Sequence, residues 1–160
     1  MDSDQILRQH LLKLLSARQA HLMFDDAVND FPEDKINAYP PNVPYTPWHL
    51  LEHIRRAQWD ILDYIRNADY EGMNWPDDYW PPQDEQADMA AWQQTIDKFH
   101  EDLNALEDIV RDPKTDLMAP IPHGQNGHTI LREVLLVADH NAYHIGELGI
   151  LRQVLDAWTK

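Results

Sequence analysis

The amino-acid sequence predicts an all-α protein, a four-helix bundle, on three observations. Its 11 prolines fall in clusters that leave four long segments between them. Proline breaks helix interiors but suits loops and first helical turns. Each segment is rich in Leu, Ala, Gln, Glu and Arg, which favour helix, and repeats its apolar residues near a 3.6-residue period. No stretch alternates apolar and polar residues with β-branched enrichment, so no sheet is expected. Four amphipathic helices joined in one chain read as a bundle.

The first segment runs from about Ser3 to Asp30, with Ile6, Leu7, Leu11, Leu14, Leu15, Leu22 and Val28 near helical spacing. The second opens at Thr46-Pro47-Trp48, where Thr46 can cap and Pro47 suits the first helical position. It carries Leu50, Ile54, Ala57, Ile61 and Ile65 and ends near Asn67. The third starts around Asp84 and presents Met89, Trp92, Ile96, Phe99, Leu103, Leu106 and Val110. Its acidic run from Asp97 to Asp108 reads as a solvated face. The fourth begins near Thr129 and reaches about Trp158, through Leu131, Val134, Leu135, Ala138, Ala142, Ile145, Leu148, Leu151 and Leu155. The loops between them, about 10 to 20 residues, are long for a bundle. Two are aromatic and Pro-rich, residues 39–45 and 74–82. Trp75, Tyr79 and Trp80 in the second either line a pocket as part of a stiff lid or cover the edge of the core.

Length and composition bound the functional class. At 160 residues and 18.8 kDa the chain is the size of one domain, expected to span residues 1–160. With no cysteine it can hold no disulfide, thiolate nucleophile, zinc ribbon or iron–sulfur cluster. A net charge of −15 repels phosphate backbones, so nucleic acid is not an expected partner. No apolar run approaches the roughly 20 residues that span a bilayer, so no membrane association is expected. The opening Met1-Asp2-Ser3-Asp4-Gln5 is acidic where a signal peptide is basic, and a cytoplasmic location is expected.

Nine histidines are the main chemical signal. His140 and His144 stand four apart, which stacks them about 6 Å apart along one helix face. Val137, His140, His144, Leu148, Leu151 and Leu155 form one stripe, so both imidazoles interrupt an apolar surface. Imidazoles in a bundle core need partners, and one metal ion satisfies two at once. A lone pair at this spacing is also compatible with hydrogen-bonded or half-exposed histidines. His49 and His53 repeat the spacing on the second segment, and His53 is the one beside the stripe of Leu50, Ile54, Ala57 and Ile61. Three neutral imidazoles with a fourth position open is the pattern of a catalytic zinc-type site. His10, His21 and His100 sit among polar neighbours and read as solvated; His123 and His128 flank the turn Gly124-Gln125-Asn126-Gly127. The paired Glu-x-x-His motifs of di-iron bundles, HExxH, GxSxG and phosphate- or dinucleotide-binding glycine loops are absent.

The stretch Thr46-Pro47-Trp48-His49-Leu50-Leu51-Glu52-His53-Ile54-Arg55 resembles the second-helix motif of the DinB family. Leu131-Arg132-Glu133 through Ala138-Asp139-His140-Asn141-Ala142-Tyr143-His144-Ile145-Gly146-Glu147-Leu148 is similar to its fourth-helix signature. The resemblance covers nearly the whole chain and implies an up-down-down-up bundle. It also implies a three-histidine divalent metal site on His53, His140 and His144, and a homodimer. Glu147 stands where the family often has Gln, and His49 has no assigned place. Imidazole ligands with an open position suit zinc, nickel, iron or copper.

In family terms the expected function is metal-dependent transfer from a low-molecular-weight thiol to a small-molecule electrophile, or hydrolysis. The thiolate would arrive with the cosubstrate, and Tyr143, Asp60 and Glu147 are candidates for proton handling. The alternatives are a non-catalytic bundle with a structural metal or a ligand cavity, and a metal-free bundle whose histidines are polar core groups.

Overall fold

The structure is a computed structural model and describes residues 2–158. Its described residues form five α-helices, α1 (Ser3–Ser16), α2 (Phe24–Val28), α3 (Pro47–Arg66), α4 (Met89–Arg111) and α5 (Ile130–Val154), and two single-turn 3-10 helices, Glu33–Lys35 and Asp77–Tyr79. The described residues contain no strand, only an isolated bridge between Pro120 and Thr129. The four long helices start alike. Asp2, Thr46, Asp88 and Thr129 are extended, and each side chain accepts a hydrogen bond from the main-chain N–H three residues on. Each cap satisfies a donor that the first turn leaves free. The Thr46 cap with Pro47 in the first turn is the start read from the sequence.

Both α1 and α3 pack against α4 and α5, which places α1 and α3 on one diagonal of the bundle. Cross-helix hydrogen bonds fix the directions. Thr95 donates to Glu52 and Gln58 donates to the Phe99 carbonyl, so α3 and α4 run the same way. His53 meets His144 while Tyr64 meets His128 just before α5, so α3 and α5 are antiparallel. The buried Arg8 of α1 donates to the carbonyls of Val110 and Asp112 at the end of α4, while Leu14 and Leu15 further along α1 lie beside Phe99 and Leu103 earlier in α4, so that pair is antiparallel. The order is up-down-down-up.

Three boundaries differ from the expected ones. The first segment is not one helix: α1 stops at Ser16, and the short α2 follows after seven intervening residues. Ala17, Arg18, Gln19 and Ala20 are competent helix formers, so local propensity does not break it. Packing does. The detour seats Phe24 flat on Phe99, ring centroids 3.7 Å apart, and buries Ala27 and Val28. The third helix starts at Met89 rather than near Asp84, because Asn37 binds both main-chain groups of Ala87 and holds that stretch extended. The fourth ends at Val154 rather than near Trp158; Asp156 turns left-handed and brings the Ala157 carbonyl back onto Arg152.

The core divides into two apolar clusters. One gathers Phe24, Leu50, Leu51, Ile54, Trp92, Phe99, Ile145 and Leu148; the other gathers Leu11, Leu62, Leu106, Val134 and Val137. A polar layer joins them, in which the fully buried Gln58 bonds the Phe99 carbonyl on one side and Asn141 on the other. The acidic face of α4 is not wholly solvated: Glu107 is buried, paired with Arg111.

Candidate metal centre

Helix α3 carries His53 inward from its second turn, and the antiparallel α5 carries His140 and His144 on successive turns against it. Their Nε2 atoms converge. His53 Nε2 lies 3.2 Å from the Nε2 of His144 and 3.2 Å from the Nε2 of His140. His53 is buried and the other two are half-buried.

The outer nitrogens decide what this convergence means. His53 Nδ1 donates to the Tyr79 carbonyl at 3.1 Å, and His144 Nδ1 donates to Glu147 Oε2 at 2.6 Å. With each proton committed to Nδ1, the two facing Nε2 atoms are lone pairs. Lone pairs at that separation repel unless a cation stands between them. One proton serves only two nitrogens, whereas here three meet at one point. Two nitrogens about 2.0–2.1 Å from one tetrahedral ion stand roughly 3.3–3.4 Å apart, close to the spacing seen. The buried His140 Nδ1 makes no well-formed hydrogen bond, its nearest polar neighbour being the Asn141 side chain. The three histidines therefore form a group that could hold a divalent metal ion.

The electrostatics agree. Burial, together with the neighbouring imidazole of His144, pushes His53 and His140 down to about 4, against the opposing pull of the Tyr79 carbonyl on His53. At neutral pH both are in the uncharged form that ligates metals. A stability prediction follows. Unfolding returns both groups to the ordinary range near 6.5, so the unfolded chain takes up protons that the fold refuses. In chelator-treated protein, urea midpoints are expected to fall as pH drops from 7.5 to 5, and less steeply in His53→Ala. A midpoint flat across that window would contradict the burial argument.

The loop before α4 completes the surroundings. Glu52, buried on α3, accepts from Arg55, Arg56 and Thr95, and these arginines hold its carboxyl below the usual range against the effect of burial. Arg56 in turn donates to the carbonyls of Asp78 and Trp80. So anchored, the Trp80 indole lies flat on His53, centroids 3.9 Å apart and planes within 5°. Trp80 is thus pocket lining, while Trp75 is 72% exposed. Trp80 also forms a wall of a cavity of about 320 Å³ shared with Pro44 and Tyr45.

The other candidates separate. Glu147 is at the site, orienting His144 and standing 3.4 Å from the Tyr45 hydroxyl. Tyr143 meets His144 edge-on but is 65% exposed, and Glu147 pushes its hydroxyl pKa up. Asp60 lies about 10 Å along α3 from His53; it accepts from the hydroxyls of Tyr70 and Tyr79 and so braces the residue whose carbonyl holds His53. His49 is buried but spends both ring nitrogens elsewhere. Its Nδ1 accepts from the Thr46 N–H and its Nε2 donates to the Glu85 carbonyl. His123 and His128 both bind Tyr64, and His100 pairs with Asp25. The sequence offers Trp80 as pocket lining or as core cover, and its seat on His53 selects the first; the Tyr79 carbonyl that holds His53 was not legible in the sequence.

Among the described residues, no helix is long and apolar enough to cross a membrane. A family model for the DinB superfamily matches residues 16–148, a span holding all three histidines. No curated protein and no solved structure matches the chain.

Proposed function

The chain belongs to the DinB superfamily, and from that membership we propose a divalent-metal-dependent enzyme whose ion is held by His53, His140 and His144. The observation that carries this reading is the convergence of three Nε2 atoms while the Nδ1 protons of His53 and His144 are held elsewhere. When bound, such an ion acts as a Lewis acid that makes a water or thiol nucleophilic at neutral pH.

The chain's own residues fix the ligands and screen one side. Tyr79 and Glu147 orient His53 and His144, and Trp80 excludes water from the flat face of His53. Glu147 is committed to His144 Nδ1, which supports three protein ligands and an open fourth position rather than a closed set. With no cysteine in the chain, a thiol reaction would draw its sulfur from a low-molecular-weight cosubstrate. S-transfer and hydrolysis are the two reaction classes proposed.

Elemental analysis of tag-free protein tests the reading. Near one equivalent of a single metal per chain is expected, and thiols assayed with electrophiles, beside esters and amides, then separate the two classes. No metal after reconstitution with zinc and nickel would overturn it. Glu147→Ala removes the acceptor on His144 Nδ1, and metal affinity measured by chelator competition is expected to fall about 10–100-fold.

A further inference from the structure

The outer face of α5 carries an apolar stripe that the rest of the chain leaves uncovered. Leu135, Tyr143, Ile150 and Val154 are 44% to 65% exposed. With the exposed Asp139 and Gly146 they follow one another at steps of three and four, so all six share one face. The other faces of α5 are taken by α1, α2 and α3. On α4, by contrast, the exposed positions hold no large apolar side chain. A line of large apolar residues in water over five turns marks a surface for another molecule.

Shape, charge and area each identify that molecule as a second α5. The stripe is symmetric about the point between His144 and Ile145: Leu135 and Val154, Asp139 and Ile150, and Tyr143 and Gly146 lie equally far from it. Two copies packed antiparallel about a twofold axis there set each Tyr143 against Gly146 of the other copy, and each Leu135 against Val154. A Cβ added at Gly146 points into open space, so the glycine leaves room for the ring.

In a chain of net charge −15, the exposed residues of α5 include one cation and one anion, Arg132 and Asp139. A second acidic copy meets little repulsion on such a face. In the antiparallel register the two Asp139 carboxylates stand roughly 16 Å apart along the axis, about two Debye lengths at physiological salt. The stripe is about 28 Å long and about 10 Å wide. Two of them with their rims bury on the order of 1,000 Å², the lower bound for a specific interface.

We propose that the protein forms a reversible homodimer through α5, antiparallel about the level of residues 144 and 145, with a micromolar dissociation constant. The twofold axis keeps α3, and with it the histidine centre, on the same side of the helix pair in both copies. The contact uses no histidine, so it stands independently of the metal.

Sedimentation equilibrium of the full chain from about 1 to about 500 μM tests the proposal. A monomer–dimer equilibrium is expected, unchanged by chelator and tightened by salt, because screening relieves the repulsion between two acidic chains. Ile150→Glu and Ile150→Lys test the register, since each new charge faces Asp139 of the other copy. The glutamate should weaken the dimer at least about 100-fold, and the lysine should leave it within about tenfold of the wild type. Gly146→Met should weaken it at least about tenfold without lowering the melting temperature of dilute protein. Circular dichroism confirms that each variant is folded. A chain monomeric at every concentration would overturn the proposal, as would a monomer that partitions onto phosphatidylcholine vesicles instead. So would equal losses in the two Ile150 variants, a dimer indifferent to Ile150→Glu, weakening by salt, or dissociation on chelation.

Discussion

His144→Ala is expected to abolish stable metal binding while leaving the bundle folded. Removing one of three imidazoles leaves two ligands, one of them His140, whose Nδ1 makes no well-formed hydrogen bond. The loss in affinity should exceed the roughly 100-fold upper range seen when only an outer partner of a ligand is removed. The stability consequence has an unusual sign. Without metal, the wild type holds the bare Nε2 atoms of His53 and His144 face to face at 3.2 Å. Alanine at 144 removes that repulsion, so the chelated variant should be no less stable than the chelated wild type by more than about 1 kcal/mol.

With metal the order reverses. An ion present at about 100 times its dissociation constant stabilises the wild type by roughly 2.7 kcal/mol. In a domain of this size that raises the melting temperature by roughly 5–10 °C. The variant gains nothing. Melting curves of both proteins, with chelator and with zinc, give all four values. A zinc shift that persists in His144→Ala would place the ion elsewhere. A variant that unfolds even when chelated would make His144 a packing residue.

The histidine pairing was legible in the sequence for a reason tied to helix geometry. His140 and His144 interrupt a stripe of otherwise apolar residues at steps of three and four, and His53 lies beside the matching stripe on its own helix. Periodicity reports which face a residue occupies, and that is most of what a site between two helices needs. What periodicity cannot report is how a loop lies. Trp80 reaches His53 through a segment with no repeat, held by Arg56 contacts to main-chain carbonyls. Any residue offers a carbonyl, so no residue type marks the Tyr79 oxygen as the acceptor for His53.

His49 is the converse case. Four residues from His53 and of the same type, it looks like a sibling ligand. It turns out to complete the Thr46 capping box and to hold the loop at Glu85. Glu147 stood between two readings in the sequence, charge near the site or a solvent-facing residue. The distance of 2.6 Å to His144 Nδ1 selects the first. The break after Ser16 was invisible because the residues that follow favour helix. What holds the detour lies far along the chain, in the packing of Phe24 on Phe99 of α4 and in a clamp from α5.

That clamp is Arg152, and Arg152→Ala is expected to be among the most destabilising single substitutions in the protein. The side chain is 2% exposed in the last turn of α5. Its guanidinium donates to five carbonyls: Asp26, Ala27, Asn29 and Asp30 around the end of α2, and Ala157 beyond its own helix. It also lies over the rings of Trp158 and Phe31, at 4.3 and 5.1 Å. No carboxylate bonds it; burial alone lowers its pKa, and Asp30 opposes that only through space. The charge is balanced by carbonyl dipoles, including those at the C-terminal end of α2.

A hydrogen bond to a charged donor contributes about 1.5–3 kcal/mol, and acceptors stripped of it stay buried. Some of the five would find water, so a loss of roughly 3–5 kcal/mol is expected in urea denaturation. Arg152→Met separates hydrogen bonding from packing, because it refills most of the volume and restores no donor. It should recover little. Arg152→Lys should recover only part, because an ammonium has three donors and cannot span carbonyls on both sides of the planar fork. Zinc binding should survive in all three variants that fold, since Arg152 lies two turns beyond His144 and faces α2 rather than α3. A loss below about 1 kcal/mol in Arg152→Ala would mean that α2 is held by the Phe24 and Val28 packing alone, and that the helix break precedes the arginine clamp instead of depending on it.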